Sequence, residues 1–108
     1  EHHPLFPDRA NISFVTKVGP DQFRMRVWER GGGITLACGS GACAVGVAVK
    51  RSGRGARRNE IIMDGGSVFI DWQDDGTSGG RVIMCGPVAY VFEGVLCGDL
   101  LALMRTSA

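Results

Sequence analysis

Residues 22–53 read QFRMRVWERGGGITLACGSGACAVGVAVKRSG. The first eight alternate: Phe23, Met25 and Val27 point one way, and Arg24, Arg26 and Trp28 the other. A period of two predicts a half-buried strand over Gln22–Glu29. Gly31-Gly32-Gly33 breaks that pattern, and Ile34–Ala37 is a short extended piece. Ser40 is then a helix N-cap candidate, and Gly41–Ser52 reads as a helix stopped at Gly53. Ala42–Val49 is apolar nearly all round, so this helix is expected to be surrounded by protein. Ala42, Ala44, Gly46 and Ala48 leave room for other elements to approach closely.

Upstream, Asn11–Val18 reads as a strand and Gly19-Pro20-Asp21 as a turn, giving a hairpin with Gln22–Glu29. Downstream, Lys50–Arg58 carries five basic residues in nine. No aromatic residue interleaves them, so the segment reads as a solvated loop rather than a phosphate or nucleic-acid patch. Strands are predicted at Glu60–Met63, Ser67–Trp72, Arg81–Cys85 and Val88–Glu93. Asp64-Gly65 and Asp75-Gly76 are hairpin-turn signals between them. Asp99–Arg105 reads as a short terminal helix. The expected fold class is α+β: a curved, mostly antiparallel sheet wrapped around one buried central helix.

Composition limits what such a fold can do. The 108 residues, 44% hydrophobic and 21% charged, suit one globular domain over residues 1–108. A net charge of +1 is too small an excess for a sequence-independent nucleic-acid binder. The longest apolar run, Ala42–Val49, is too short to span a bilayer. No basic, apolar and small-residue signal segment opens the residues given, and a cytoplasmic location is expected only from the family resemblance below. The four cysteines, at 38, 43, 85 and 97, lack the paired spacing of a zinc site, and the two histidines sit at positions 2 and 3. Free thiols are expected, and no metal. A redox-active Cys38–Cys43 pair is a weak alternative, because there is no C-x-x-C to support it.

Chemistry concentrates between Trp28 and Ala42. Cys38 is followed by glycine and precedes a helix start. There the first backbone N–H groups lack intrahelical partners and the macrodipole is positive. Both stabilise an anion, either a Cys38 thiolate or a substrate carboxylate held by the N–H groups around Gly39 and Ser40. The stretch is no P-loop, since no Gly-Lys-Ser/Thr follows, and no dinucleotide fingerprint. Read blandly, it is a tight turn with an inert cysteine. Glu29 and Arg30 weigh against that, because a carboxylate beside a guanidinium at a strand end suits a zwitterionic ligand. An ordinary surface ion pair is the competing account of those two residues.

Trp28-Glu-Arg-Gly31…Thr35-Leu-Ala-Cys38-Gly-Ser-Gly-Ala-Cys-Ala44 resembles the signature of the diaminopimelate epimerases. So do His3-Pro-Leu-Phe-Pro-Asp-Arg-Ala-Asn11-Ile-Ser-Phe14, Asp64-Gly-Gly66, Met84-Cys-Gly-Pro87 and Val91-Phe-Glu-Gly94, in the family's order. The resemblance implies an isomerase that needs neither pyridoxal phosphate nor any other cofactor. It would interconvert LL- and meso-diaminopimelate for lysine and peptidoglycan precursors, with two cysteines facing each other across the α-carbon. Carried over residue by residue, Cys38 is one catalytic cysteine. Gly39 and Ser40 form the anion hole, and Asn11, Glu29 and Arg30 recognise the distal amino and carboxylate groups.

The resemblance covers only the later part of the family sequence. The family fold has two similar halves, and the N-terminal half with its own cysteine has no counterpart here. This chain is therefore expected to be an incomplete C-terminal half, inactive alone, with the N-terminal half as partner. A homodimer placing two Cys38 thiols face to face is a second arrangement. Cys43 is about one helical turn beyond Cys38 and is expected to point into the packing. Cys85 reads as a small buried hydrophobe, and Cys97 carries no assignment. Two other readings stay open. One is a related isomerase on the same fold, which would not need Asn11, Glu29 and Arg30. The other is a ligand-binding fragment without chemistry.

Overall fold

The computed structural model describes residues 1–77 and 79–106. Six strands and two helices make an α+β architecture: β1 (Ile12–Gly19), β2 (Gln22–Glu29), β3 (Gly33–Thr35), α1 (Gly39–Arg51), β4 (Arg58–Met63), β5 (Gly66–Gln73), β6 (Arg81–Cys85) and α2 (Gly98–Thr106). The sheet is open and mixed, in the order β1-β2-β4-β5-β6. β3 and β4 share one edge of β2. β4 runs beside Gln22–Arg24 and β3 beside Val27–Glu29. Every pairing is antiparallel except β2 with β4. That parallel pair follows from the connection, since α1 carries the chain over between the two strands.

The alternation in β2 sets the core. Phe23, Met25 and Val27 are buried, and they meet Ala42, Val45 and Val49 of α1, Ile61 and Met63 of β4, and Ile70 of β5. The helix needs Gly46 at its contact with β5. A Cβ there would lie 2.7 Å from Ile70 Cβ, well inside contact distance. At its end, Gly53 takes the left-handed conformation at φ +75°, and Arg54 and Gly55 donate backbone N–H groups to the Val49 carbonyl. The buried Asn59 side chain then closes the following loop through both the N–H and the carbonyl of Ala56, at 3.0 and 2.7 Å.

The basic segment serves the sheet. Lys50 Nζ lies 4.8 Å from the Trp72 ring centre and Arg58 4.8 Å from that of Phe69. Arg57 pairs with Asp71 at 2.7 Å. The guanidinium donates to that carboxylate and holds its pKa below the ordinary 3.8.

Several expectations change. Cys38, not Ser40, caps α1, and Ser40 is already helical. The helix is amphipathic rather than enclosed: Ala42, Val45, Gly46 and Val49 are buried while Ser40, Ala44 and Ala48 face outward. Within this sheet only one of its faces is covered. Asp64-Gly65 is the two-residue β4–β5 turn, and Asp75-Gly76 sits in the loop of the β5–β6 hairpin, which is longer than a two-residue turn. In that connection, between Gln73 and Arg81, Asp74 accepts from the Gly76 N–H at 3.0 Å. Ser78, in that connection, lies outside the described residues. Val88–Glu93 is not a strand. Residues 86–97 form neither helix nor ladder and are exposed throughout, Val88, Tyr90 and Val95 almost completely. A strand-like composition is not enough, since a strand exists only where its backbone is hydrogen-bonded to a neighbour, and this segment pairs with no edge, the free one of β6 included.

Candidate functional site

Two clusters form where β2, β3 and α1 meet, and one threonine lies between them. The first is the turn entering α1. Cys38 has extended backbone (φ −149°, ψ 104°), and its Sγ accepts the Gly41 N–H at 3.4 Å. Its carbonyl accepts the Ala42 N–H at 2.9 Å. Ser40 Oγ lies 3.6 Å from the same sulfur. The Cys38 sulfur thus satisfies one of the helix's orphan donors, the role an oxygen more often fills.

Three methionines bed this turn. Cys38 N–H points at Met63 Sδ, 3.4 Å away. Met84 lies over Gly39, and Met25 Cε lies 2.9 Å from where a Gly41 Cβ would be. A side chain at Gly41 would also crowd Cys38 Sγ, at 3.1 Å. Thioethers pack softly around an irregular backbone. The β4–β5 turn secures the approach from the other side, where Gly65 N–H donates to the Leu36 carbonyl at 2.7 Å. Asp64 fastens that turn to β2 through ion pairs with Arg24 and, at 3.5 Å, Arg26. The hydrogen bond from Arg24 holds its carboxyl below the ordinary 3.8.

The second cluster is built on the hairpin. Ile12 pairs with Trp28, so Asn11, one step outward, falls beside the Glu29-Arg30 end of β2. Arg30 N–H donates to Asn11 Oδ1 at 2.7 Å, and its guanidinium donates to the Asp8 carbonyl at 3.1 Å. Arg9, Ala10, Asn11 and Arg30 line an open cavity of about 370 Å³. Glu29 turns toward β3, where Thr35 Oγ1 donates to its Oε1 at 2.7 Å. The same hydroxyl lies 3.4 Å from the Ala37 carbonyl, next to Cys38.

The structure therefore groups Cys38 with Gly39 and Ser40, and Asn11 with Arg30, and it joins Glu29 to the approach to Cys38 through Thr35. Thr35 received no role from the sequence. The signal was present, since a hydroxyl two residues into a strand returning past Glu29 has few other partners. Glu1 was missed too. Its carboxylate accepts from Trp28 Nε1 at 2.7 Å, Gly31 N–H at 2.9 Å and Arg9 at 3.3 Å. The Trp28 bond, then that from Gly31, holds it below its ordinary 4.5. A larger cavity, about 810 Å³, lies between β1 and the outward face of α1, with Asn11, Val15, Phe23, Ala44 and Ala48 among its walls, so Asn11 borders both cavities.

All four cysteines are free thiols; Cys38 and Cys43 are half-buried, and Cys85 and Cys97 are exposed. Cys85 is thus not the buried hydrophobe expected of it. Among the described residues no three His, Cys, Asp or Glu side chains group to hold a metal, and no helix is long and apolar enough to cross a membrane.

The sequence matches the diaminopimelate epimerase family over residues 1–91. It is 58% identical over 102 residues to the diaminopimelate epimerase of Acidiphilium cryptum, covering 94% of this chain and 35% of that one. It is 51% identical over 98 residues to that of Bacteroides thetaiotaomicron, covering 91% and 36%. For Rhodospirillum centenum the values are 52% over 101 residues, covering 94% and 33%. The chain spans about a third of the length of these relatives. Matched along most of its length, including both clusters, this chain belongs to the diaminopimelate epimerase family.

Proposed function

We propose that this chain forms one side of a diaminopimelate epimerase active site, the other side coming from the family's N-terminal half. Cys38 is one of its two acid–base groups. As a thiolate it takes the α-proton and becomes a thiol. The opposing thiol gives its proton to the other face of the α-carbon and becomes a thiolate, so charge and protons balance and no cofactor takes part. An amino-acid α-proton is far less acidic than a thiol. The helix start at Gly39 and Ser40 offsets this by holding the α-carboxylate next to the reacting carbon. Asn11, Glu29 and Arg30 hold the distal amino and carboxylate groups. Substrates without a distal zwitterion would leave these polar groups unpaired, which is how selectivity arises.

The observation that carries the reading is the position of Cys38 Sγ. It lies at the first turn of α1, in reach of the Gly41 N–H and Ser40, and Thr35 links its approach to Glu29. The outward face of α1 and the unpaired 86–97 segment suit a partner that covers both. The pathway, in lysine and peptidoglycan precursor synthesis, and a cytoplasmic location belong to the same proposal.

The test is α-hydrogen exchange of diaminopimelate in D₂O, first by this chain alone and then with the N-terminal two thirds of a relative added. Exchange only after addition is expected. Exchange by the chain alone would mean that the opposing thiol comes from within the chain or from a second copy, as in the homodimer, and would overturn the split-site reading. Stoichiometric binding without exchange in the mixture would leave a binding fragment. Exchange of an amino acid lacking the distal groups, at equal rate, would favour another isomerase on this fold.

A further inference from the structure

Glu1 lies far from Cys38 in sequence, and neither the family match nor the proposed chemistry gives it a role. Its side chain is only 9% exposed, although Trp28 and Arg9, two of its partners, are exposed. Both oxygens are used. Oε2 accepts from Trp28 Nε1, and Oε1 accepts from Gly31 N–H and Arg9. Trp28 and Gly31 are the residues immediately before and after Glu29-Arg30. One carboxylate therefore grips the chain on both sides of the pair.

The chain needs that grip at this point. β2 ends at Glu29, and Gly31 has φ +75° in the turn closed by Gly32 N–H on the Glu29 carbonyl. In the segment that leads into β1, Arg9 adopts φ +64°, a strained conformation for a residue with a side chain. Its guanidinium reaches Glu1. The Asn11–Arg30 hydrogen bond spans the same gap. We infer that Glu1 is a positioning residue: its carboxylate clamps Trp28, Gly31 and Arg9 and so fixes where Glu29 and Arg30 present their charges. This rests on the functional reading above for its link to substrate, but not for the clamp itself.

Glu1→Gln is the informative change because it keeps the shape. All three hydrogen-bonding partners donate, so the amide NH₂ must face a donor. One of the two short bonds is lost whichever way the amide turns. Trp28→Phe removes one of those donors and should relieve the conflict.

Two readouts separate the clamp from the function. In the chain alone, hydrogen exchange of the Arg30 amide should quicken about tenfold in Glu1→Gln, while the Ile61 and Ile70 amides of the core keep their protection. Unchanged Arg30 protection would overturn the inference whatever an enzyme assay shows. In the enzyme reassembled with the N-terminal portion of a relative, Glu1→Gln should raise KM for diaminopimelate about tenfold with kcat within about twofold. Adding Glu1→Gln to Trp28→Phe should cost little further. Equal KM values, or a loss confined to kcat, would refute the positioning role. Absence of any exchange in the reassembled wild type would refute the functional reading instead, and the Arg30 amide would still decide the clamp.

Discussion

Cys38 does two jobs that substitutions can separate. Its sulfur caps α1 and, in the proposed reaction, carries the proton. Cys38→Ser keeps a capping atom and a better acceptor, so its melting temperature should stay close to wild type. Cys38→Ala should lose about 1 kcal/mol, the usual worth of a helix cap. Both should abolish α-hydrogen exchange in the reassembled enzyme. A Cys38→Ser variant that exchanged at wild-type rate would remove this cysteine from the chemistry. Asp64 gives a prediction in acid. Its carboxyl is held below 3.8, chiefly by the hydrogen bond from Arg24. A lowered carboxylate contributes stability that is present above the unfolded value and is lost as pH falls through the folded value. Wild type should therefore lose stability as pH drops below about 3.8, and Asp64→Asn should lose less over that window. Parallel acid-unfolding curves would show that the pair contributes nothing. Asn11 and Arg30 were legible as site residues only through the family resemblance, because the one-residue register shift between Lys17 and Gly19 that sets them beside each other leaves no mark in the turn sequence. Glu1 was not, because nothing in its local sequence says that an indole and a glycine amide nearly thirty residues away will turn toward it.

At the scale of elements, α1 is held by fit rather than by propensity. Glycine in mid-helix costs about 1 kcal/mol relative to alanine. Gly46→Ala should nevertheless destabilise the chain by about 1–3 kcal/mol, since the new methyl group enters the space of Ile70. A rise in the thermal midpoint would mean that α1 can lift from β5 at little cost. The helix and five of the six predicted strands were legible because period and turn residues agree over each. Two features were not. A sulfur cap is invisible to a rule built on side-chain oxygens, so the helix start was placed late, at Gly41. Val88–Glu93 has the composition of a strand, yet pairing is decided by what lies alongside. Likewise the apolar circumference of α1 promised two covered faces, and the sheet supplies one.

For the whole molecule, the surface does not close. The chain exposes 8014 Å², where a compact protein of this mass exposes about 5,800 Å². Its radius of gyration is 17.7 Å, against about 13 Å for a compact chain of this length. The excess of roughly 2,000 Å² is more than the ~800 Å² that each partner of a standard protein–protein interface buries. Small-angle scattering of the dilute chain should give close to 18 Å, and a hydrophobic dye should bind it and leave when the N-terminal portion is added. A scattering radius near 13 Å would mean that 86–97 folds back onto the groove between β1 and α1. The same segment carries a consequence for the life of the chain in a cell. Tyr90, Val91, Phe92 and Leu96 stand exposed on backbone that belongs to no helix or ladder, the form in which chaperones and proteases grip a polypeptide. Limited proteolysis should cut there first and leave the β1–β6 core intact. Turnover of the unassembled chain would then be set at this tail, independently of how firmly its core is folded, and association would act as protection from degradation.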